Sequence, residues 1–294
     1  MKKETELSTG KRNIILVTLM AGAFIASIGQ NMLTAALSSI MVEFQISASL
    51  GQLLTTGYIM LLGIISALSA FLIRKYATKN LFLCCMGLFL AGGILAFFAP
   101  SFPVLLFGRA IQACGAGVLV PLLQTVAFYL FPKEKHGQAM GIVMLVIGFA
   151  PALGPVVSGV FVDLWGWRSI FILMIGVAMA AFALGAVNLC DFSDGEKGRM
   201  DLFSTVLYGF GFCGFMLGVT SMKEAGIFAM QTLLLLGGGV LFLGLFIYRQ
   251  LRERHPMMEL RLFGNKEFCI AAILIGLTYM ASMSGATIVP LSIQ

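Results

Sequence analysis

"LLFGRAIQACGAGVLVPLL", Leu105 to Leu123, carries one charge, Arg109, inside an otherwise uncharged apolar run. From Leu81 to Phe131 there is no other Asp, Glu, Lys or Arg. A run of this kind is long enough to cross a bilayer, which takes about 20 residues at 1.5 Å of rise each. The fold must therefore accommodate a guanidinium within a span, where it costs at least ~2.5–3.5 kcal/mol if left in lipid at mid-helix.

The rest of the chain repeats this pattern. Its 294 residues are 59% hydrophobic and 11% charged, with a mean hydropathy of +0.98. Soluble domains are about a quarter charged, so that class is excluded. Long unbroken apolar runs, in place of short alternating segments, also exclude a barrel. The expected fold is an all-α polytopic membrane protein, with spans at 14–40, 50–73, 81–99, 103–131, 139–162, 168–190, 202–221, 227–248 and 268–290. The first run is too long for a signal peptide, lacks a cleavage site, and is followed by further spans.

Lys and Arg set the orientation. Lys2, Lys3, Lys11 and Arg12 precede the first span, and alternate loops hold Arg74, Lys75 and Lys79, then Lys133 and Lys135, Lys197 and Arg199, and a five-residue cluster from Arg249 to Lys266. The opposite side has only Arg168 and Lys223. The expected N-terminus is cytoplasmic in a multi-pass plasma-membrane protein. This bias also explains the +6 net charge, so no nucleic-acid partner is implied. Six cysteines, all in or beside spans, show no metal-site spacing and read as small packing residues. No metal or cofactor is expected. The histidines, His136 and His255, stand in charged loops with no partner pattern, which argues against a membrane enzyme.

Two readings of Arg109 compete. Six residues past Pro103, or about 9 Å along a helix, its side chain could snorkel to the interface. Alternatively, Gln112 one turn on, with Gly108, Ala113, Gly115, Ala116 and Gly117, builds a polar, small-residue face that suits a bundle interior or cavity. The fifth span, "GIVMLVIGFAPALGPVVSG", holds Pro151 and Pro155, which remove two backbone donors and predict a local bend.

These stretches together resemble major facilitator transporters. Leu105, Arg109, Gln112, Gly115 and Gly117 match the fourth-helix motif, with Ala113 where glycine is usual. Gly141, Gly154, Pro155 and Gly159 fall at the spacing of the fifth-helix antiporter motif, with Ala150 and Ser158 replacing two glycines. "WGWRSIF", Trp165 to Phe171, and "TTGYIM", with Thr56 and Tyr58, are similar to segments of the fourteen-span drug:proton antiporter branch, nearest to lincomycin-resistance-type exporters. The resemblance implies a cytoplasmic tail at 1–13, an N-terminal six-helix bundle at 14–190, a cytoplasmic loop at 191–201, a two-helix insert at 202–248, a second cytoplasmic loop at 249–267, and at 268–294 the first helix of an incomplete C-terminal bundle.

The same resemblance implies proton-coupled export of amphiphilic small molecules by alternating access. Arg109 and Gln112 would then be cavity and coupling groups. Gly141, Pro151, Gly154, Pro155 and Gly159 would form the directional bend, and Tyr58 and Asn31, with Met20 and Phe24, an adaptable pocket. Arg74, Lys75 and Lys79 lie in the cytoplasmic gating loop, where Leu72, Lys75 and Lys79 fit the family pattern but Arg74 replaces its acid and Ala77 its glycine. Gly29 stands where the first helix often has aspartate, and no Asp or Glu lies well inside any span. A proton relay needs a group that titrates, and arginine does not, so the proton-carrying carboxylate is expected outside this chain. The alternative is a truncated or half-transporter chain without autonomous activity. Nothing in the sequence fixes an oligomeric state.

Overall fold

The computed structural model describes residues 8–192, 201–226, 228–253, 256 and 258–293. Among them the regular structure is helical throughout, and eight helices are long and apolar enough to cross a membrane. In chain order the helices are α1 (Thr9–Ile28), α2 (Leu33–Phe44), α3 (Ala48–Lys75), α4 (Thr78–Phe97), α5 (Phe102–Leu130), α6 (His136–Trp165), α7 (Ser169–Asn188), α8 (Leu202–Ala225), α9 (Met230–Arg252) and α10 (Lys266–Ile293). The chain divides into two compact units, Met1–Met200 and Asp201–Gln294.

In the first unit the helix ends follow local chemistry. Ser8 caps α1 by accepting from the Lys11 N–H, and Ser47 caps α3 by accepting from that of Leu50. Pro103 lies in the first turn of α5, where its missing N–H has no partner to lose. Prolines also lie inside α5 and α6. Pro121 sits within α5, and the Thr125 hydroxyl donates to its carbonyl at 2.8 Å. α6 runs uninterrupted over Pro151 and Pro155, with the Ser158 hydroxyl donating to the Pro155 carbonyl at 3.2 Å.

One expectation is corrected. The sequence predicts a continuous first span at 14–40, whereas α1 stops at Ile28 and α2 begins at Leu33. Between them the hydrogen bonds tighten: Gln30 N–H reaches Ser27, Asn31 N–H reaches Ile28, and Thr34 N–H reaches Asn31. Gly29 and Asn31 favour leaving the helix, but an apolar average over the whole segment hides a four-residue turn.

α5 is the axis of the first unit, packed by α4, α3 and α1, while α7 covers α4 and α1. Approach of α4 to α5 depends on glycine. A Cβ on Gly92 would lie 2.5 Å from the Gly108 carbonyl oxygen, and one on Gly115 would overlap the Cys85 carbonyl. In a bilayer such contacts replace the hydrophobic effect as the force between helices.

The second unit centres on the α8–α9 pair, with α10 beside a short 3₁₀ segment at Leu260–Gly264. Asp201 caps α8 through the Ser204 N–H and receives two bonds from Arg249 of α9, Nε to Oδ2 at 3.0 Å and Nη2 to Oδ1 at 3.2 Å. Burial alone would raise the Asp201 carboxyl, but its bonds from Arg249 and Ser204 outweigh this and hold it below the usual carboxylate range.

Candidate functional site

Arg109 and Gln112 stand three residues apart on α5 and so share a face. Their exposures are 1% and 0%, so Arg109 does not snorkel to an interface. The Arg109 Nη2 donates to the Gly29 carbonyl at 2.9 Å, and Nη1 donates to Gln112 Oε1 at 3.1 Å. The guanidinium carbon stands 3.9 Å from the centre of the Tyr58 ring, and the Tyr58 hydroxyl donates to the Ala26 carbonyl at 3.2 Å. Among the described residues no carboxylate pairs with Arg109.

The break in the first span explains how this charge is held. A helix ending within the bundle leaves carbonyls without helical partners and presents the negative end of its dipole. Arg109 meets that end at Gly29. A buried cation costs several kcal/mol. Charge-assisted hydrogen bonds at about 1.5–3 kcal/mol each and a desolvated cation–π contact of about 2 kcal/mol are of the size needed to offset it. Arg109 Nε and Gln112 Nε2 remain buried without a hydrogen-bond partner among the described residues. Gln112 is fixed by packing as well, since a Cβ on Gly93 would lie 3.0 Å from its Nε2.

The other sequence-selected residues are placed less uniformly. Gly154 of α6 backs onto the break, where a Cβ would lie 3.2 Å from the Ile28 carbonyl and 3.4 Å from Asn31. Asn31 is half-buried in the turn, and Ala150 and Ser158 are buried on the same helix. Gly141 and Gly159 face open space and Pro155 is exposed, so they do not join the Arg109 cluster. Pro151 lies on α6, and its side chain falls outside the described residues. Arg74 and Lys75 are exposed at the end of α3, with Lys75 Nζ 5.4 Å from both the Phe71 and Tyr76 rings. The Lys79 N–H donates to Asp191 Oδ1 at 3.1 Å.

Sequence reading misses three participants. The Gly29 carbonyl carries no side-chain signal at all. Asp191, next to the end of α7, supplies a carboxylate to the start of α4, whose own N-cap Ala77 makes no side-chain bond. Glu43, Trp167 and Arg168 form a cluster at the end of the bundle away from the α1 N-terminus. "WGWRSIF" flagged two of the three, but not their acidic partner.

Residues 19–291 match the model of the Major Facilitator Superfamily. The chain belongs to that superfamily. It is 40% identical over 294 residues to the uncharacterized MFS-type transporter YcnB of Bacillus subtilis (strain 168), covering 100% of this chain and 62% of that protein. It is 35% identical over 281 residues to the lincomycin resistance protein LmrB of Listeria monocytogenes serovar 1/2a, covering 96% and 59%. This chain of the Major Facilitator Superfamily thus spans about three-fifths of the length of these curated relatives. Among solved structures, a peptide transporter POT mutant in complex with alafosfalin aligns with a TM-score of 0.61 at 16% identity, over 81% of this chain and 52% of that one. A bacterial homolog of the human lysosomal transporter Spinster, inward-facing and unoccupied, aligns with a TM-score of 0.53 at 16% identity, over 87% and 66%. At that identity the two share the fold. The all-α polytopic architecture is that of the Major Facilitator Superfamily.

Proposed function

We propose that this chain works in a secondary transporter that exports drugs or other amphiphilic small molecules across the plasma membrane in exchange for protons, with its N-terminus cytoplasmic. The observation that carries the reading is Arg109, a fully buried cation bonded to the broken end of a span. An interrupted helix with a charge at its end is the arrangement from which transporters build midplane sites. The likeness to a lincomycin resistance protein supports the substrate class.

In this reading Arg109 does not carry the proton, because it stays protonated. It exchanges hydrogen-bond partners among Gly29, Gln112 and substrate or water as the bundles rock, and Tyr58 supplies a flat surface beside it. Gly154 lets α6 follow the break. Gly141, Pro151, Pro155 and Gly159 line the rest of that helix as its directional face, and Arg74, Lys75 and Lys79 belong to the gating loop. The proton-carrying carboxylate lies outside the spans described here.

A second reading, in which this chain requires another bundle for activity, is favoured by its coverage of 62% and 59% of the relatives. The test is lincomycin or ethidium efflux from energised cells, with the chain expressed alone or beside the remaining portion of a lincomycin-resistance relative. Arg109→Lys is expected to lower efflux about tenfold or more while membrane abundance stays within about twofold, since an ammonium cannot reproduce a planar two-acceptor fork. Efflux that is unchanged in Arg109→Lys and in Arg109→Ala would overturn the role given to this site. Efflux only in the presence of the second portion would select the second reading.

A further inference from the structure

At the end of the first unit away from the α1 N-terminus, two neighbouring residues of the α6–α7 turn converge on one carboxylate of α2, and one of them also reaches the α4–α5 turn. Glu43, one residue from the end of α2, accepts from Trp167 Nε1 at 2.6 Å through Oε2 and pairs with Arg168 Nη1 at 2.6 Å through Oε1. Arg168 also donates from Nη2 to the Ala99 carbonyl in the α4–α5 turn at 3.3 Å, and its guanidinium carbon lies 4.2 Å from the centre of the Trp167 ring. Trp167 is wedged between Phe44 and Phe171, with ring centroids at 5.9 and 6.1 Å. α2, the α4–α5 turn and the α6–α7 turn are thereby tied together.

The tie is stronger than its ion pair. Arg168 and Glu43 side chains are 37% and 41% exposed, and a pair of that kind contributes little by itself. Trp167 is only 4% exposed, however, and Glu43 is the acceptor for its indole N–H. Without the carboxylate a buried donor loses its partner, which costs more than an exposed charge pair gains.

α2 is otherwise the lightly held half of the first span. α1 packs on α5, α6 and α7, whereas α2 has 12 residues, packs on α6 and α3, and starts without a side-chain cap. Its near end is the tight turn at Gly29–Met32, pinned by Arg109. A short rigid element with a turn at one end and a bonded carboxylate at the other has the construction of a latched lever.

We propose that Glu43 is a positioning residue that latches α2 against the α4–α5 and α6–α7 turns, and that release of this latch lets α2 pivot about Gly29–Met32 during the transport cycle. The lever is a property of the first unit alone, while its use in transport rests on the function proposed above. Glu43 touches no substrate in this scheme. It sets how readily the far end of the bundle opens.

Hydrogen exchange read by mass spectrometry, on the chain in lipid nanodiscs, tests the latch without requiring transport. Glu43→Ala is expected to speed amide exchange in 30–45 by about tenfold relative to the parent, leaving 105–123 unchanged. Glu43→Gln, which keeps an acceptor for the indole N–H but loses the ion pair, should give a smaller increase. Trp167→Phe keeps an aromatic ring, removes the donor and provides a second variant should Glu43→Ala loosen the whole unit. Parental exchange in 30–45 for both Glu43→Ala and Trp167→Phe would overturn the latch. In efflux assays the latch variants are expected to change the maximal rate at an unchanged half-saturating concentration. Faster exchange with no change in maximal rate would overturn the role in transport, and absence of efflux from the parent both alone and beside the second portion would count against the transporter reading instead.

Discussion

At the scale of single residues, two charges show how differently a membrane protein can hold an ion. Arg109 has no counter-carboxylate among the described residues and relies on a carbonyl, an amide oxygen and an aromatic face. Glu43 lies near the end of α2, beyond the apolar run at 14–40, and has two donors. The Trp167 hydrogen bond lowers its carboxyl below the ordinary glutamate value, partial burial opposes this, and Arg168 adds to the lowering. A group whose folded pKa is depressed contributes stability above its unfolded value, and loses it as pH falls through the folded one. The latch should therefore hold across neutral pH and release only in acid below the usual glutamate range. With Trp165→Phe, Trp167 is the sole tryptophan, and its emission is expected to change in that acid interval. The change should vanish in Glu43→Gln, whose side chain does not titrate.

At the scale of elements, helix contacts are set by where glycine lets backbones meet. Gly115 presses on the Cys85 carbonyl of α4, while Gly141 on α6 has open space around its Cα. Gly115→Ala is expected to lower the stability of the detergent-solubilised chain by about 3 kcal/mol through overpacking. Gly141→Ala, by contrast, should be neutral or stabilising by up to about 1 kcal/mol, the helix-propensity difference. Thermal unfolding followed by circular dichroism compares the two directly. Equal losses would mean that packing of α4 on α5 is not what the glycine serves. The same scale contains the clearest departure from sequence reading, the division of the first span into α1 and α2. Hydropathy averages a turn into its apolar flanks, and only the carbonyl at Gly29, turned toward Arg109, shows what the division accomplishes.

For the whole molecule, the charge bias across alternate loops makes a directional prediction. A reporter active only outside the cytoplasm should be silent when fused after Lys135 or Arg252 and active when fused after Gly226. A cytoplasmic reporter should show the opposite pattern. Reversal at these sites would invert the proposed orientation, and with it the side on which the Glu43 latch opens. The fold itself does not depend on that outcome.

Much of this protein follows from its sequence alone. The apolar runs from the second span onward coincide with helices within a few residues, because a bilayer leaves each span no way to satisfy its backbone except internally. The shared face of Arg109 and Gln112 follows from helical periodicity, and the superfamily from motifs carried within single helices. Tertiary structure decided the pairings between distant segments. Glu43 meets Trp167 across 124 positions, Lys79 meets Asp191 across 112, and Arg109 meets Gly29 across 80. No local pattern encodes such contacts. They depend on which helices pack together, and the last depends also on a backbone carbonyl whose availability exists only after the first span has turned.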